Sequence, residues 1–183
     1  MALLQEVPPW WPPLLARASG AQWRLRLTSR NFGLWLRREI SSRNPDVLKA
    51  NGGGCNAILV RGQGIGEHRW VRLCWLPERR YAHGVRLADG TWVVNVHTST
   101  HDESWARRDA LKALAHARRW SAGAPLLLFG GDVNMRGKPS LPGLVRLGGN
   151  HVDHLYSSGP PARRVEVLER GRLSDHPPVR VSL

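Results

Sequence analysis

The sequence predicts an α/β domain with mixed sheets, on three observations. Short apolar runs of strand length outnumber helical patterns along the 183 residues. An Asp89-Gly90 pair joins two β-rich runs, a hairpin signal that puts antiparallel pairs in a sheet. Polar residues recur where apolar runs end, which is where a sheet presents side chains to a ligand. A chain of this length can bury a substantial core as one domain.

Residues 1–7 are a short apolar run ending Leu4-Gln5-Glu6-Val7, read as a strand. Pro8-Pro9 and Pro12-Pro13 bracket Trp10-Trp11, and proline blocks both helix continuation and ladder donation, so a turn is expected. One helical turn or more can follow over 14–18. Residues 22–28 alternate, with Trp23, Leu25 and Leu27 on one strand face. Residues 29–51 fit either a loop or a short helix around Trp35, Leu36 and Ile40. Asn51-Gly52-Gly53-Gly54 is a breaker before an apolar strand at 56–60. The glycine-rich stretch 61–67 is followed by no helix, so it reads as a turn rather than a phosphate-binding loop. Strands are expected at 68–76, 81–87 and 91–96, the last running into Asn95-Val96-His97-Thr98.

Thr100-His101-Asp102-Glu103 fits a capping box and predicts a helix reaching about Trp120. Its apolar stripe is Ala110, Leu111, Leu114 and Ala117, and Gly123 ends it. Leu126 to Phe129 are four large apolar residues in a row, a buried strand. Gly130-Gly131 then stop it, and Asp132 and Asn134 follow. Glycines without Cβ would let an anion such as phosphate approach the backbone, although Asp and Asn after Gly are also common turn residues. A short helix is possible at 141–147. Strands are expected at 152–156, carrying Asp153 and His154, at 164–168, and at 179–181 after Leu173-Ser174-Asp175-His176-Pro177-Pro178. Side-chain alternation turns His154 away from Asp153.

Hydrophobic content is 42 % and charged content 22 %, ordinary for a globular protein. No run approaches the roughly 18–20 apolar residues of a membrane span. The start has neither a basic n-region nor a long apolar h-region, so no signal peptide is expected and the location predicted is cytoplasmic. Cys55 and Cys74 make neither a disulfide framework nor a zinc motif, and read as packed thiols. Net charge is +13, and of the 27 basic residues only Lys49, Lys112 and Lys138 are lysines. That surplus favours nucleic acid, acidic headgroups or phosphorylated substrates. The arginines are spread along the chain, as a GC-rich coding sequence would also leave them. The nine tryptophans mostly fall at alternating strand positions and read as core.

The candidate site residues are Gln5-Glu6, Asn56, His97, Asp132 with Asn134, Asp153 and Asp175-His176. Each has a plain alternative: Glu6 as a surface acid, His97 as a core histidine, Asp175-His176 as a turn. Together they share one chemistry. Carboxylates such as Glu6 and Asp175 suit Mg²⁺, which prefers oxygen ligands. A histidine beside a carboxylate can be held in the tautomer that takes a proton from water. A second histidine and an amide can donate to a phosphate oxygen as charge builds there. Metal, oriented water and oxyanion donors make a phosphoester hydrolase.

The pieces LQEV, GGGCNAIL, VVNVHT, LLLFGGDVN, HVDHLY and LSDHPPV, in that order, resemble the endonuclease/exonuclease/phosphatase superfamily. This group includes DNase I-like nucleases, neutral sphingomyelinases and inositol-polyphosphate 5-phosphatases. The resemblance implies a four-layer α/β/β/α sandwich of two mixed β-sheets and a Mg²⁺-dependent (Mn²⁺ possible) hydrolase. Its substrate would be a phosphoester, either DNA or RNA or another phosphorylated compound. By resemblance Glu6 is the metal-binding glutamate and Asp175 a metal-side carboxylate. His97 contacts phosphate or assists the leaving group, Asp132 aligns the attacking water or metal, and Asn134 places its amide on the phosphate. Asp153 orients His176, which is general base or transition-state stabiliser, and both Asp132 and His176 stay open as the group that takes the proton. Family members begin with an Asn-bearing strand and a helix before the QE strand. Met1 falls inside that third element, so the resemblance implies that residues 1–183 are one N-terminally incomplete domain, weakened in stability and metal binding. The alternative is a degenerate, non-catalytic phosphate- or nucleic-acid-binding domain.

Overall fold

A computed structural model describes residues 1–29, 31–43, 54–76, 78–171 and 174–183. In chain order the first elements are β1 (Ala2–Val7), α1 (Trp11–Ser19), β2 (Gln22–Leu27), α2 (Leu34–Arg43) and β3 (Cys55–Val60). Then come β4 (Ile65–Cys74), β5 (Arg80–Leu87), β6 (Trp92–His97), α3 (Glu103–Trp120) and β7 (Leu127–Asp132). The chain finishes with β8 (Val145–Asn150), β9 (Asp153–Ser157), β10 (Arg164–Val167) and β11 (Val179–Ser182). The Asn51 to Gly53 part of the expected breaker, and Leu173, lie outside the described residues.

Two sheets face each other. The smaller has the order β1-β3-β2, all antiparallel; the larger has the order β4-β5-β6-β7-β9-β8. In the larger sheet only β6 and β7 run parallel, and α3 is the crossover such a pair requires. Ile58 and Val60 of β3 pack on Ile65, Val85, Leu87 and Val93 between the sheets. Ala16 of α1 packs against Ala57 and Leu59 on the far side of the small sheet. Ala106, Ala110, Ala113, Leu114 and Ala117 of α3 cover Val94, Val96 and Phe129 on the far side of the large one. The result is the expected four-layer α/β/β/α sandwich. The hairpin β10–β11 is a separate two-stranded sheet lying against β8 and β9, and β1 is an edge strand of the small sheet among the described residues. No helix among the described residues is long and apolar enough to cross a membrane.

Several local expectations change. The proline cluster opens α1 instead of preventing it: Pro12 and Pro13 occupy the first turn, where no amide hydrogen is used. The helix α3 is capped by Asp102, not Thr100; its Oδ1 accepts from the Trp105 amide at 2.9 Å. The buried stripe of α3 is shifted too. Leu111 is 37 % exposed, whereas Asp109 is fully buried and accepts from the Ser99 amide at 3.2 Å. Residues 141–147 are not a helix. Leu141, Leu144 and Leu147 mimic helical spacing, but the chain turns at Leu141–Leu144 and enters β8. Gly148 sets that strand against the hairpin, since a Cβ there would stand 2.5 Å from Val165 Cγ1.

The Gly-Gly pair also has a different role. Both glycines lie inside β7, paired on either side. A Cβ on Gly130 would meet the His154 carbonyl at 2.4 Å, and one on Gly131, at φ +128, would meet the Val96 carbonyl at 2.3 Å. The missing side chains admit neighbouring backbone rather than an anion. They let β7 continue without a break to Asp132.

Candidate active site

Strand register builds the site. His97 at the end of β6 pairs with Asp132 at the end of β7, and Asp132 pairs with Asp153 at the start of β9. Three chemistry-bearing side chains thus stand in one row across the large sheet. His176, just before β11, closes the row from the hairpin side, with its Nδ1 2.9 Å from Asp153 Oδ2. His97 Nε2 lies 3.7 Å from Asp132 Oδ2. From the small sheet comes Glu6, at the irregularity where the β1–β3 register shifts. It has φ 53, a left-handed conformation that costs a residue of its type on the order of 1 kcal/mol.

Below this row is a buried polar layer that ties the sheets together. Gln5 Nε2 donates to Asn95 Oδ1 at 2.6 Å, and Asn95 Nδ2 donates to the Leu4 and Ala57 carbonyls, each at 2.9 Å. Asn95 is fully buried, so these bonds hold β1 at a set height over β6 and place Glu6 above His97. Asn56, also fully buried, donates to the Tyr81 carbonyl at 3.3 Å, and its Oδ1 has no hydrogen-bond partner among the described residues. Asn134 sits in the loop after β7 at φ 47, which Asn tolerates. Its amide donates to Asp132 Oδ1 at 3.0 Å and its Nδ2 to the Thr98 carbonyl at 3.1 Å. His154 faces away from Asp153, with Nε2 2.9 Å from the Met135 carbonyl and Nδ1 bonded by Arg146.

Arg80 was not among the sequence candidates, yet it occupies the pocket. It is 6 % exposed, and its Nη1 lies 2.8 Å from His97 Nδ1, 2.6 Å from His97 Nε2 and 3.1 Å from Glu6 Oε1. Its Nη2 donates to Glu78 at 2.7 Å. A buried guanidinium beside two ring nitrogens requires an imidazole acceptor. Accordingly burial, then the charges of Arg80 and His176, hold His97 neutral, well below the usual histidine range. The carboxylates move the other way. Burial, then the neighbouring Asp153 charge, push Asp132 up to about 6. Burial also raises Asp153. For His176 burial lowers the pKa, but Asp153, Asp175 and Asp132 outweigh it and raise the group overall.

Asp132, Asp153 and His176 offer ligand atoms that all lie within 4.8 Å of one another. The two carboxylates are oxygen donors of the kind Mg²⁺ and Mn²⁺ prefer, so the residues present fit a divalent ion. The two expected metal ligands stand outside that trio. Glu6 is engaged by Arg80, and Asp175 is an exposed residue close enough to Asp153 and His176 to bias their titration.

The fold of this chain recurs in solved structures. The chain superposes on truncated Caenorhabditis elegans TDP2 with TM-score 0.61 at 16 % identity, over 94 % of this chain and 76 % of that one. The fold is DNase I-like. An endonuclease/exonuclease/phosphatase from Beutenbergia cavernae gives TM-score 0.65 at 14 % identity, over 98 % of this chain and 62 % of that one. The human nocturnin catalytic domain, solved with a bound sulfate anion, gives 0.59 at 16 %, over 97 % and 77 %. The chain spans 58 % of a second C. elegans TDP2 structure. No family model and no curated protein matches the sequence. On this DNase I-like scaffold the row of His97, Asp132 and Asp153 lies at the ends of adjacent large-sheet strands.

Proposed function

We propose that this chain is a divalent-metal-dependent phosphoester hydrolase. The observation that carries the reading is the row His97–Asp132–Asp153 closed by His176, with two raised carboxylate pKa values beside a raised histidine. Strongly perturbed titratable groups gathered at one end of a sheet mark a candidate functional site. Asp132, buried at the end of β7 and raised by burial and by Asp153, is the candidate acceptor of a proton from water. His176, held by Asp153, keeps its proton and stabilises charge on the phosphoryl oxygens. Arg80 and the second N–H of the Asn134 side-chain amide bind the same oxygens, and neutral His97 orients the Arg80 guanidinium. Asp132 and Asp153, with Glu6 and Asp175 as further carboxylates, would hold Mg²⁺ or Mn²⁺, leaving His176 as the cationic partner of the phosphoryl oxygens. When bound, the ion would add positive charge at the phosphoryl group and acidify a water. That nocturnin was solved with a sulfate anion supports a tetrahedral-anion pocket in this fold.

Hydrolysis of bis(p-nitrophenyl) phosphate with Mg²⁺ or Mn²⁺, abolished by EDTA, is the direct test. Plasmid DNA, phosphoinositides and sphingomyelin extend it to natural substrate classes. His176→Ala should lower turnover about 10²-fold, the lower end of what a positioned proton or charge partner contributes. Unchanged turnover in folded protein would remove His176 from the mechanism.

One observation favours a second reading. Arg80 already neutralises Glu6, and a pocket charged by arginine can bind phosphate without cleaving it. On that reading, calorimetric titration with Mg²⁺ and Mn²⁺ shows no binding while inorganic phosphate binds.

A further inference from the structure

We propose that a basic and aromatic strip beside the catalytic pocket is a track for single-stranded nucleic acid, with Trp75 as a base-stacking platform. The proposal rests on the hydrolase reading for its substrate class, but its geometry is separate from the reacting groups.

The strip runs along the open edge of the sandwich, where the edge strands β2 and β4 face each other. Arg24 and Arg26 of β2 pair in register with Ile58 and Asn56, so their side chains share the face turned to the large sheet. Opposite them, Trp70 and Arg72 alternate on the matching face of β4. The Arg26 guanidinium carbon lies 3.7 Å from the Trp70 ring centre and 4.7 Å from that of Tyr81. Its Nε is buried without a hydrogen-bond partner among the described residues, so this cation is held mainly by the two rings. A groove of about 580 Å³ opens here, lined by Arg24, Trp23 and His68 among others.

At the catalytic end of this edge stands Trp75. It is 57 % exposed, with the Arg72 guanidinium carbon 4.0 Å and that of Arg79 5.7 Å from its ring centre. The Arg79 amide donates to Ser29 Oγ at 2.7 Å, which pins the β4–β5 turn to the end of β2. The next residue is Arg80, whose register partner is Cys74, immediately before Trp75. The platform is therefore one residue from the strand pair that delivers a guanidinium into the phosphate pocket. The Arg72 guanidinium lies over one face of the indole, so a planar base stacks on Trp75 by taking the other face or by displacing Arg72, and the guanidiniums then meet its phosphates. A base can lie flat on Trp75 only when it is out of a duplex stack, which selects single strands, overhangs or frayed ends. The net charge of +13 adds long-range attraction for such a polyanion.

The test measures binding without turnover. A short fluorescein-labelled single-stranded oligonucleotide is titrated in EDTA and followed by anisotropy, alongside the matching duplex and vesicles of phosphatidylcholine with phosphatidylserine. The single strand should bind more tightly than the duplex, and Trp75→Ala should weaken it about 5- to 100-fold, the range for one lost base–aromatic stack. Arg72→Ala should reduce the salt slope by about 0.7, one phosphate contact on a single strand. Hydrolysis of bis(p-nitrophenyl) phosphate should be the same in Trp75→Ala as in the parent. Unchanged oligonucleotide affinity in folded Trp75→Ala overturns the proposal. So does a loss confined to vesicle binding, which would make Trp75 and the adjacent exposed Leu76 a membrane-facing rim. Intact Trp75-dependent binding with no hydrolysis of any ester would fell the hydrolase reading and leave the track standing.

Discussion

Asp132→Asn is expected to lower turnover about 10³-fold, within the range for loss of a positioned proton acceptor, while leaving the fold intact. Asp132 is 9 % exposed and its pKa is pushed up to about 6, by burial first and then by Asp153. A carboxyl raised on folding is destabilising in its ionised form, so its cost is absent at low pH and grows as pH rises from about 4 to about 6. At 1.4 kcal/mol per unit, the shift from 3.8 to about 6 corresponds to roughly 3 kcal/mol at pH 8 in the absence of a metal. Asparagine removes that charge and keeps an oxygen for the Asn134 amide. In EDTA at pH 8 the variant should therefore match or exceed the parent in urea unfolding. Loss of activity without loss of stability separates a reacting group from a structural one. A variant with parental turnover would take Asp132 out of the chemistry.

Much of this architecture was legible because strands write their own boundaries. The alternation in Gln22 to Leu27, the Asp89-Gly90 turn between β5 and β6, and the unbroken apolar run of β7 each need only local information. Errors came where local pattern and tertiary packing disagree. Leu141, Leu144 and Leu147 have helical spacing, but Gly148 must press β8 against Val165, and that contact is invisible in the sequence. Gly130 and Gly131 looked like an anion cradle because nothing local says which backbone will fill the space. Thr100 and Asp102 compete for the same cap, and the chain used the residue nearer the first apolar turn.

The row His97, Asp132 and Asp153 was legible for a different reason. Polar residues that terminate apolar strands share one end of a sheet, and register does the rest. Arg80 was not legible. It is one of many arginines, and its burial depends on a β4–β5 turn that places it across from Cys74. The bonds from Asn95 to Gln5 and to two carbonyls were likewise hidden, because they join three strands from distant parts of the chain.

The same buried layer should make the protein acid-sensitive in a way that can be isolated. His83 is fully buried, with Nδ1 3.1 Å from His68 Nε2 and Nε2 3.5 Å from Asn95 Nδ2. Burial, then the charges of His68 and Arg26, push its pKa down to about 3. Burial also lowers His68. A histidine lowered on folding stays neutral in the native state, while the unfolded chain takes up the proton below about 6.5. Its stabilising contribution is therefore complete above 6.5 and drains away as pH falls towards about 3. One proton makes the slope about 1.4 kcal/mol per pH unit, so the window is worth about 4–5 kcal/mol in total. That is comparable with the whole stability of many domains, about 5–15 kcal/mol. Urea unfolding of the parent and of His83→Gln, measured between pH 7 and pH 4, should differ in slope by about 1.4 kcal/mol per pH unit below about pH 6. Groups that do not touch His83, the site carboxylates included, act on both proteins and drop out of the difference, which therefore reports His83 together with its partner His68. The substitution can lower stability at every pH without affecting the result, because the slope carries it. Equal slopes would mean that His83 takes a proton inside the folded protein, and that the layer beneath the site admits water.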